Sequence, residues 1–373
     1  AGRRAGARRG GRLSHVHPVD LGATVVDHLI SRTGVDLESV DDVIFGTVMQ
    51  MGEQASNLGR NVVLASGLPL TVPGTTVDRQ CGSSQQALHF AAHAVSSGAM
   101  DIVIAGGVES MSRVPLALSA ESKSPRIERR FPGVVFSQFD GAERVARKYG
   151  VSKDEMDAFA LRSHLRAGEA TKAGRFDGEI VPVEIEGAEG QRELHVVDEG
   201  IRFNASLEAI RNVKLLQEGG SISAAAASQI CDGASAVIVV NNDGLKRLGA
   251  RPLARIVHTS VLGGDPITML DAPIAATRRA LARAGFELSE IDAFEVNEAF
   301  ASVPLAWMKE LGADPNRVNV NGGAIALGHP VGASGTKLMA TLLGVLEQRG
   351  GRLGLQTMCE GGGLANVTIV ERL

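Results

Sequence analysis

The chain has 373 residues, of which 44% are hydrophobic and 21% charged, and its formal net charge is −4. This length allows two or three domains with a large core, and neither the charge nor the 3% aromatic content favours a nucleic-acid partner. Three cysteines are too few for a disulfide framework, which predicts a reducing, cytoplasmic setting. No apolar run approaches the roughly 20 residues that cross a bilayer, and no apolar centre of a secretory signal is present.

The chain begins with a basic stretch rich in glycine and alanine. It contains Arg3, Arg4, Arg8, Arg9 and Arg12. We expect a solvated, poorly ordered segment, because chain ends of this composition are rarely held down. A targeting or polyanion-binding arm is the alternative interpretation.

Two regions of the chain show the same order of predicted elements. Each consists of a helix, a strand, a segment ending in a loop, a second helix and a further strand followed by glycines. In the first region these elements cover residues 21–32, 40–46, 75–84, 84–97 and 101–107. In the second they cover residues 274–284, 291–297, 318–335, 334–347 and 353–363. Alternating strands and helices predict mainly parallel sheets, and two copies predict a pseudo-twofold arrangement whose corresponding loops face a shared cleft.

The middle of the chain, residues 116–218, is more polar and lacks this alternation. Its best predicted helix covers residues 153–173, and such an insertion is suited to a lid or specificity module. The apolar run DGASAVIVV at residues 232–240 then predicts a buried strand of the parallel type that returns to the first half. We therefore predict an N-terminal half over residues 1–115 and 219–250, a loop domain over 116–218 and a C-terminal half over 251–373.

Two residues that precede predicted helices are candidates for a nucleophile and its base. Cys81 follows the extended TTVDRQ and precedes Gly82, so a helix N-terminus should favour its thiolate. His329 lies in GGAIALGHPVGASG, where the next residue, a proline, stiffens the loop. A histidine held there is a good general base for a cysteine elsewhere. The alternatives are a buried structural cysteine and a histidine satisfied within a turn.

Two further segments carry polar groups at the ends of predicted strands. Cys359 follows LGLQTM and precedes a triple glycine that begins at Gly361, where free N–H groups could bind a developing oxyanion. Asn297, in VNEAF, stands between a strand and a helix, and taken alone it is best explained as a helix N-cap.

His89 and His93 share a helix face but lack the glutamate of the metalloprotease pattern, so we expect no metal there. Cys231 adjoins the buried strand and is expected in the core.

Five segments in this order closely resemble the thiolase family, and the likeness runs over nearly the whole chain. They are QCGSSQQA around Cys81, AGGVESMS at residues 105–112, VNEAF at 296–300, NGGAIALGHPVGASG around His329 and CEGGG at Cys359. The resemblance implies an α/β fold with duplicated βαβαβαββ halves in an αβαβα layered core, an inserted loop domain, and a homodimer or homotetramer. It also implies an acyltransferase that cleaves 3-ketoacyl-CoA to acetyl-CoA and a shortened acyl-CoA. Coenzyme A is then a co-substrate, with no permanently bound cofactor.

The resemblance assigns a role to each candidate. Cys81 matches the nucleophile that carries the acyl group, and His329 matches the histidine that activates it and polarises the thioester oxygen. Asn297 matches a residue that holds a water in that oxyanion site. Cys359 matches the acid/base that protonates the departing enolate and then deprotonates CoA. The N–H groups of Cys81 and Gly361 match a second oxyanion site.

Several positions depart from the family pattern. Ser228 aligns with a serine near the pantetheine arm, although AAAS stands where the family usually shows GNAS. The basic N-terminal stretch stands where the family has an apolar first strand, which puts that sheet edge in doubt. Glu360 replaces a usually apolar residue, and a carboxylate directed at Cys359 should raise the pKa of that thiol. SQFDGAE at residues 137–143 lacks the H-M-G-like segment of short-chain thiolases, which favours medium, long or ring-bearing 3-ketoacyl-CoA.

Other functions fit the sequence less well. A decarboxylating ketoacyl synthase shares the fold but lacks a second cysteine before three glycines. A non-catalytic acyl-CoA or lipid-binding relative should have lost Cys81, His329 or Cys359, and all three are present. A cysteine protease would explain neither the second cysteine nor the duplicated sheet. Within the family, a biosynthetic acetoacetyl-CoA thiolase is the alternative.

Overall fold

A computed structural model describes residues 2–3, 7–8, 10–116, 124–186 and 190–373. Its helices are α1 (Pro18–Thr33), α2 (Leu58–Ala65), α3 (Ser83–Ser96), α4 (Pro125–Arg130), α5 (Gln138–Lys148), α6 (Lys153–Lys172), α7 (Leu207–Arg211), α8 (Asn242–Leu248), α9 (Ala272–Ala284), α10 (Ser302–Leu311), α11 (Ala324–Leu327) and α12 (Ser334–Arg349). Its strands are β1 (Gly2–Arg3), β2 (Ala7–Arg8), β3 (Asp42–Gly46), β4 (Gly74–Val77), β5 (Ile102–Ser110), β6 (Val183–Glu186), β7 (Arg192–His195), β8 (Cys231–Val240), β9 (Ala254–Gly263), β10 (Ala293–Val296), β11 (Leu353–Glu360) and β12 (Leu364–Arg372). Within these residues, no helix has the length and apolar character that a membrane span requires.

Two sheets repeat one strand order, as the duplication predicts. The first runs β4-β3-β5-β8-β1, and the second runs β10-β11-β12-β9, with a parallel bridge from Val318 to Phe294 in the place of β4. In each sheet a parallel pair, β3 with β5 or β10 with β11, is followed by antiparallel neighbours. The prediction of mainly parallel sheets, with β8 of the parallel type, was therefore wrong. The apolar run of β8 reports burial on both faces and carries no information about strand direction.

The helices form three layers around the sheets. Val43 and Phe45 of β3 pack towards α1 and α2 on the outer face, whereas Ile44 packs towards α3 and α12 between the sheets, as the two-residue period of a strand requires. α9 and α10 cover the outer face of the second sheet. The central helices α3 and α12 approach so closely that a Cβ at Gly335 would lie 2.1 Å from the Gln85 nitrogen. This contact brings the N-termini of α3 and α12 together.

The inserted region folds around α6, which matches the helix predicted there. α6 begins at a capping box of Ser152 and Glu155, and β6 pairs with β7 in a small separate sheet.

The expectation of a poorly ordered N-terminus was wrong for the residues described there. Gly2 pairs with Ala236 of β8, and residues 7–8 also pair with β8. The backbone groups on this side of β8 find partners there, which an unpaired edge would lack. Arg4 and Arg9 lie outside the described residues.

Candidate active site

Cys81 lies in a turn that joins β4 to the N-terminus of α3. Ser83 fixes this turn, because its Oγ accepts a hydrogen bond from the Arg79 N–H (2.9 Å) and donates one to the Gln80 carbonyl (2.6 Å). Gln80 has a left-handed φ of 50°, and Gly82 caps α3 without a side chain. Cys81 is left half-buried on the wall of a cavity of about 550 Å³.

The electrostatics at Cys81 overturn the expectation that the helix end favours a thiolate. Burial raises the pKa of this thiol to about 12, and Glu360 adds to the rise when it is ionised. The backbone N–H groups of Cys81 and Gly361 interact with the sulfur and oppose the rise only in part. The resting Cys81 is therefore a neutral thiol, and such a thiol needs a base to become reactive.

His329 stands between α11 and α12 with its ring held from both sides. Its Nδ1 lies 2.5 Å from Ser334 Oγ, which donates its own proton to the Pro330 carbonyl at 2.9 Å. Nδ1 must then carry the proton, and Nε2 is an unprotonated acceptor that faces Asn297 Nδ2 at 3.3 Å. Burial lowers the pKa of His329 to about 3, with the charge of Lys337 as a further cause. The imidazole is therefore neutral and Nε2 keeps its lone pair, but the lowered pKa makes it a weak base in the resting site.

Asn297 follows β10 directly and is not a helix N-cap. α10 begins only at Ser302, and the N-cap position is taken by Ala301. The Asn297 N–H donates to the Thr357 carbonyl at 3.1 Å, while its Nδ2 donates to His329. Its buried Oδ1 has no partner within the described chain. The side chain is therefore positioned by the second sheet and keeps one acceptor for another molecule.

Glu298 anchors this segment and was missed by sequence reasoning. Its carboxylate accepts hydrogen bonds from Ser163 Oγ (2.7 Å), Asn319 Nδ2 (2.9 Å) and the Ile325 N–H (3.1 Å). A Cβ at Gly323 would lie 2.2 Å from the Glu298 carboxyl carbon, so glycine is required there. These bonds tie α6 and α11 to the asparagine that faces His329. The only signal in the sequence was the pair of glycines in NGG.

Cys359 lies near the end of β11, and Gly361 begins the turn to β12. Cys359 is buried and pairs with Ala365 within β11, which ends two residues beyond the strand end implied by LGLQTM. The pKa of Cys359 lies well above its usual range. Burial is the largest cause, and negative charge on Cys81 and then on Glu360 are the next largest. The sequence predicted that a carboxylate at Glu360 would raise the pKa of Cys359, and the effect of Glu360 has that direction. Because negative charge on Cys81 raises the pKa of Cys359, and the Gly361 N–H interacts with the Cys81 sulfur, both halves contribute to one site.

Glu109 connects the cavity wall to the histidine loop. Its buried carboxylate accepts hydrogen bonds from the N–H groups of Val48 (2.9 Å), Met49 (3.1 Å) and Gly332 (2.9 Å), and from Gln54 Nε2 (2.7 Å). Val48 and Met49 line the cavity beside Cys81, and residue 332 lies three positions after the histidine. One side chain of the first half therefore connects the loop of the second half that contains His329 to the cavity wall beside Cys81.

We expect Glu109→Gln to lower kcat/KM by roughly 10- to 100-fold, because an amide NH₂ would face N–H donors and leave buried groups unpaired. Steady-state thiolysis measures this effect, and Glu347→Gln, an exposed glutamate on α12, is the matched control. Thermal unfolding is followed in parallel. An unchanged kcat/KM with a lowered melting temperature would limit Glu109 to a structural role.

The remaining candidate residues have other partners. His89 and His93 contact Thr368 and Thr259, and no group of three or more histidine, cysteine or acidic side chains in the described ranges could hold a metal. Cys231 is buried, as expected, and its sulfur would be 2.8 Å from a Cβ at Gly328. Ser228 donates its N–H to the Ala299 carbonyl at 2.9 Å. Its neighbours, residues 227 and 229, line a second cavity of about 200 Å³.

A thiol that faces backbone N–H donors from two loops is suited to hold an acyl group as a thioester, which defines a cysteine-dependent acyltransferase on a duplicated α/β scaffold. Residues 1–243 match the family model of the thiolase N-terminal domain, and residues 250–372 match that of the thiolase C-terminal domain. The chain belongs to the thiolase family.

Curated relatives match over almost the full length of the chain. The steroid 3-ketoacyl-CoA thiolase FadA6 of Mycobacterium tuberculosis is 50% identical, with 100% of this chain and 92% of the relative covered. The acetyl-CoA acetyltransferase of Chromobacterium violaceum is 41% identical (97% and 96% covered), as is the 3-ketoacyl-CoA thiolase of Acinetobacter baumannii (99% and 95% covered). The predicted fold and the predicted thiolase activity, with CoA as a substrate, are confirmed.

Proposed function

We propose that this thiolase degrades 3-ketoacyl-CoA esters with medium, long or ring-bearing acyl groups, and that Cys81 carries the acyl group. The observation that supports the acyl-enzyme is the approach of the Gly361 N–H to the Cys81 sulfur. A donor at this place would stabilise an oxyanion on a carbon bonded to that sulfur. The catalytic roles of Cys81, His329, Asn297, Cys359 and Gly361 are part of the proposal.

In the first half-reaction, His329 Nε2 takes the proton of Cys81, and the thiolate attacks C3 of the substrate. The C3 oxyanion accepts hydrogen bonds from the Cys81 and Gly361 N–H groups. The C2–C3 bond then breaks, so that C3 stays on Cys81 as a thioester and the electron pair leaves with the acetyl-CoA enolate. Protonated His329 and a water held by Asn297 stabilise the enolate oxygen, and Cys359 gives its proton to C2.

In the second half-reaction, the Cys359 thiolate removes the proton of the incoming CoA thiol. The CoA sulfur attacks the thioester carbon, the bond to Cys81 breaks, and Cys81 recovers its proton from His329. Both cysteines return to their resting thiols, in accordance with the raised pKa of each. Two thiols are needed because one is acylated while the other moves protons.

The cavity beside Cys81 supports a bulky acyl group. At about 550 Å³ it exceeds what a two-carbon group fills, and its lining is mainly apolar and aromatic. Its lining residues include Met49, Leu116, Val135, Phe136, Phe139, Met269 and Val331. Phe136 packs edge-on against Phe131 with ring centres 5.3 Å apart, which gives this wall a fixed shape.

We expect kcat/KM to rise from acetoacetyl-CoA to longer and ring-bearing 3-ketoacyl-CoA substrates. Phe136→Ala should lower kcat/KM about tenfold for bulky substrates, because an apolar contact is lost, and should change acetoacetyl-CoA turnover less than about twofold. Phe90→Ala, an exposed phenylalanine on α3, is the control. Turnover restricted to acetoacetyl-CoA would favour the biosynthetic alternative.

The second cavity supports a path for the pantetheine arm next to Ser228. His164, Arg202 and Gln229 line this cavity together with small alanines, which suits a narrow chain that carries amide groups. Ala227 bridges to Phe300 in the segment that contains Asn297, so this path leads towards the catalytic residues. The homodimer or homotetramer and the cytoplasmic location remain part of the proposal.

A further inference from the structure

Glu360 is a buried acid that the reaction sequence above does not use. Its side chain has no exposed surface, and neither carboxyl oxygen makes a hydrogen bond of normal geometry within the described ranges. A buried carboxylate without partners is costly, so a group in this position exists as the neutral acid. Such a group in an active site calls for an explanation.

The carboxyl group packs directly beneath the nucleophile turn. A Cβ at Gly82 would lie 1.9 Å from Glu360 Oε1, so the carboxyl fills the space left by that glycine. Glu360 follows Cys359 in β11, and Cys81 precedes Gly82 in the turn. Glu360 is therefore adjacent to Cys359 in sequence, and its carboxyl group contacts the turn that contains Cys81.

Three elements supply the groups that act on Glu360. The turn before α3 brings the positive charge of Arg79 and the thiol of Cys81, β11 brings Cys359, and β12 brings the N–H of Asn366. Arg79 and Asn366 favour the carboxylate, but burial outweighs them and keeps the pKa of Glu360 well above its usual value. Charge on Glu360 in turn raises the pKa of both thiols.

Three acids in one buried cluster cannot all ionise together. Catalysis places a negative charge first on Cys81 and then on Cys359, so Glu360 has to remain protonated throughout. We propose that Glu360 works as a neutral carboxylic acid that positions the nucleophile turn, and that its loss of a proton in alkaline solution suppresses both catalytic thiols. This proposal rests on the roles proposed above for the two cysteines.

Alkylation of Cys81 by iodoacetamide, followed by peptide mass across a pH series, tests the proposal without any substrate. Glu360→Gln, which is neutral at every pH, should match the wild type at low pH and react about tenfold faster in the alkaline range, since one pKa unit changes the thiolate fraction tenfold. The alkaline decline of kcat/KM in the wild type should be absent from Glu360→Gln. Superimposable alkylation profiles for the wild type, Glu360→Gln and the control Glu347→Gln would overturn the proposal, as would a folded but inactive Glu360→Gln.

Stability gives a second readout that needs neither activity nor alkylation. A raised pKa in the folded state means that wild-type stability falls as pH rises from about 4.5, the ordinary value of a glutamate, towards the folded value. The urea midpoint of Glu360→Gln should therefore exceed that of the wild type by a margin that grows with pH. A constant margin, or a variant less stable at every pH, would overturn the proposal. Because the alkylation and urea arms use no 3-ketoacyl-CoA, they give a result even if the proposed substrate class is wrong.

Discussion

Replacing Cys81 by alanine is expected to lower thiolysis by at least ~10⁴-fold, since loss of a nucleophile removes the covalent route and leaves only binding and oxyanion stabilisation. The side chain is half-buried at the cavity wall and lies outside the core clusters of the described residues, so its truncation should leave the fold intact. Initial rates with a bulky 3-ketoacyl-CoA and CoA measure the effect, read as loss of the enolate absorbance.

Cys81→Ser sharpens this test. Serine keeps the size of the side chain and its place at the helix N-terminus, but its hydroxyl is a far weaker acid than a thiol whose pKa is already about 12. A neutral imidazole at His329 would not ionise it, so this variant should be as inactive as alanine. Activity above a few per cent in either variant would contradict the assignment of the nucleophile.

His329→Ala should lower kcat/KM by about 10³-fold, within the range for loss of a positioned general base. His93→Ala, which removes an exposed histidine from α3, is the matched control and should stay within about twofold. Ser334→Ala removes the acceptor that holds Nδ1, and a loss of about tenfold is expected because the ring keeps its place but not its tautomer. Equal activities for the variants at residues 329 and 93 would remove the histidine from the mechanism.

The burial of His329 also determines how the reaction rate should depend on pH. With its pKa lowered to about 3, His329 stays neutral as pH falls through 6.5, the ordinary value of a histidine. Initial rates of the wild type should therefore show no acid limb centred near 6.5. Stability behaves differently, because a lowered folded pKa means that stability is lost as pH falls below 6.5. Rates are therefore read before unfolding begins.

Much of the architecture could be predicted because it depends on local patterns. The helices before β3 and β10, the strands β5 and β11 and the long helix α6 all follow from apolar periodicity and capping residues near them in the chain. The antiparallel direction of β8 could not be predicted, because its burial pattern suits either direction. The pairing of the N-terminal residues with β8 could not be predicted either, because backbone hydrogen bonds between strands do not depend on which side chains the strands carry.

The candidate site was predicted where glycine and the reactive residue are neighbours in sequence. Gly82 adjoins Cys81 and Gly328 adjoins His329, and the glycine run after Cys359 begins two residues later. Glu109 and Glu298 were not predicted, because their partners lie as far as 223 and 135 residues away. The raised pKa of Cys81 was also missed, because the helix end is visible in the sequence and the burial that outweighs it is not.

If loops from both halves build one site around the first thiol, Cys81 and no other cysteine should carry the acyl group. The most direct measurement mixes the enzyme with a 3-ketoacyl-CoA in the absence of free CoA and maps the mass of every cysteine-containing peptide. One shortened acyl group on the Cys81 peptide, released by added CoA as acyl-CoA, is the expected result. An acyl group on the Cys359 or Cys231 peptide instead, or turnover with no acylated peptide at any time point, would contradict it.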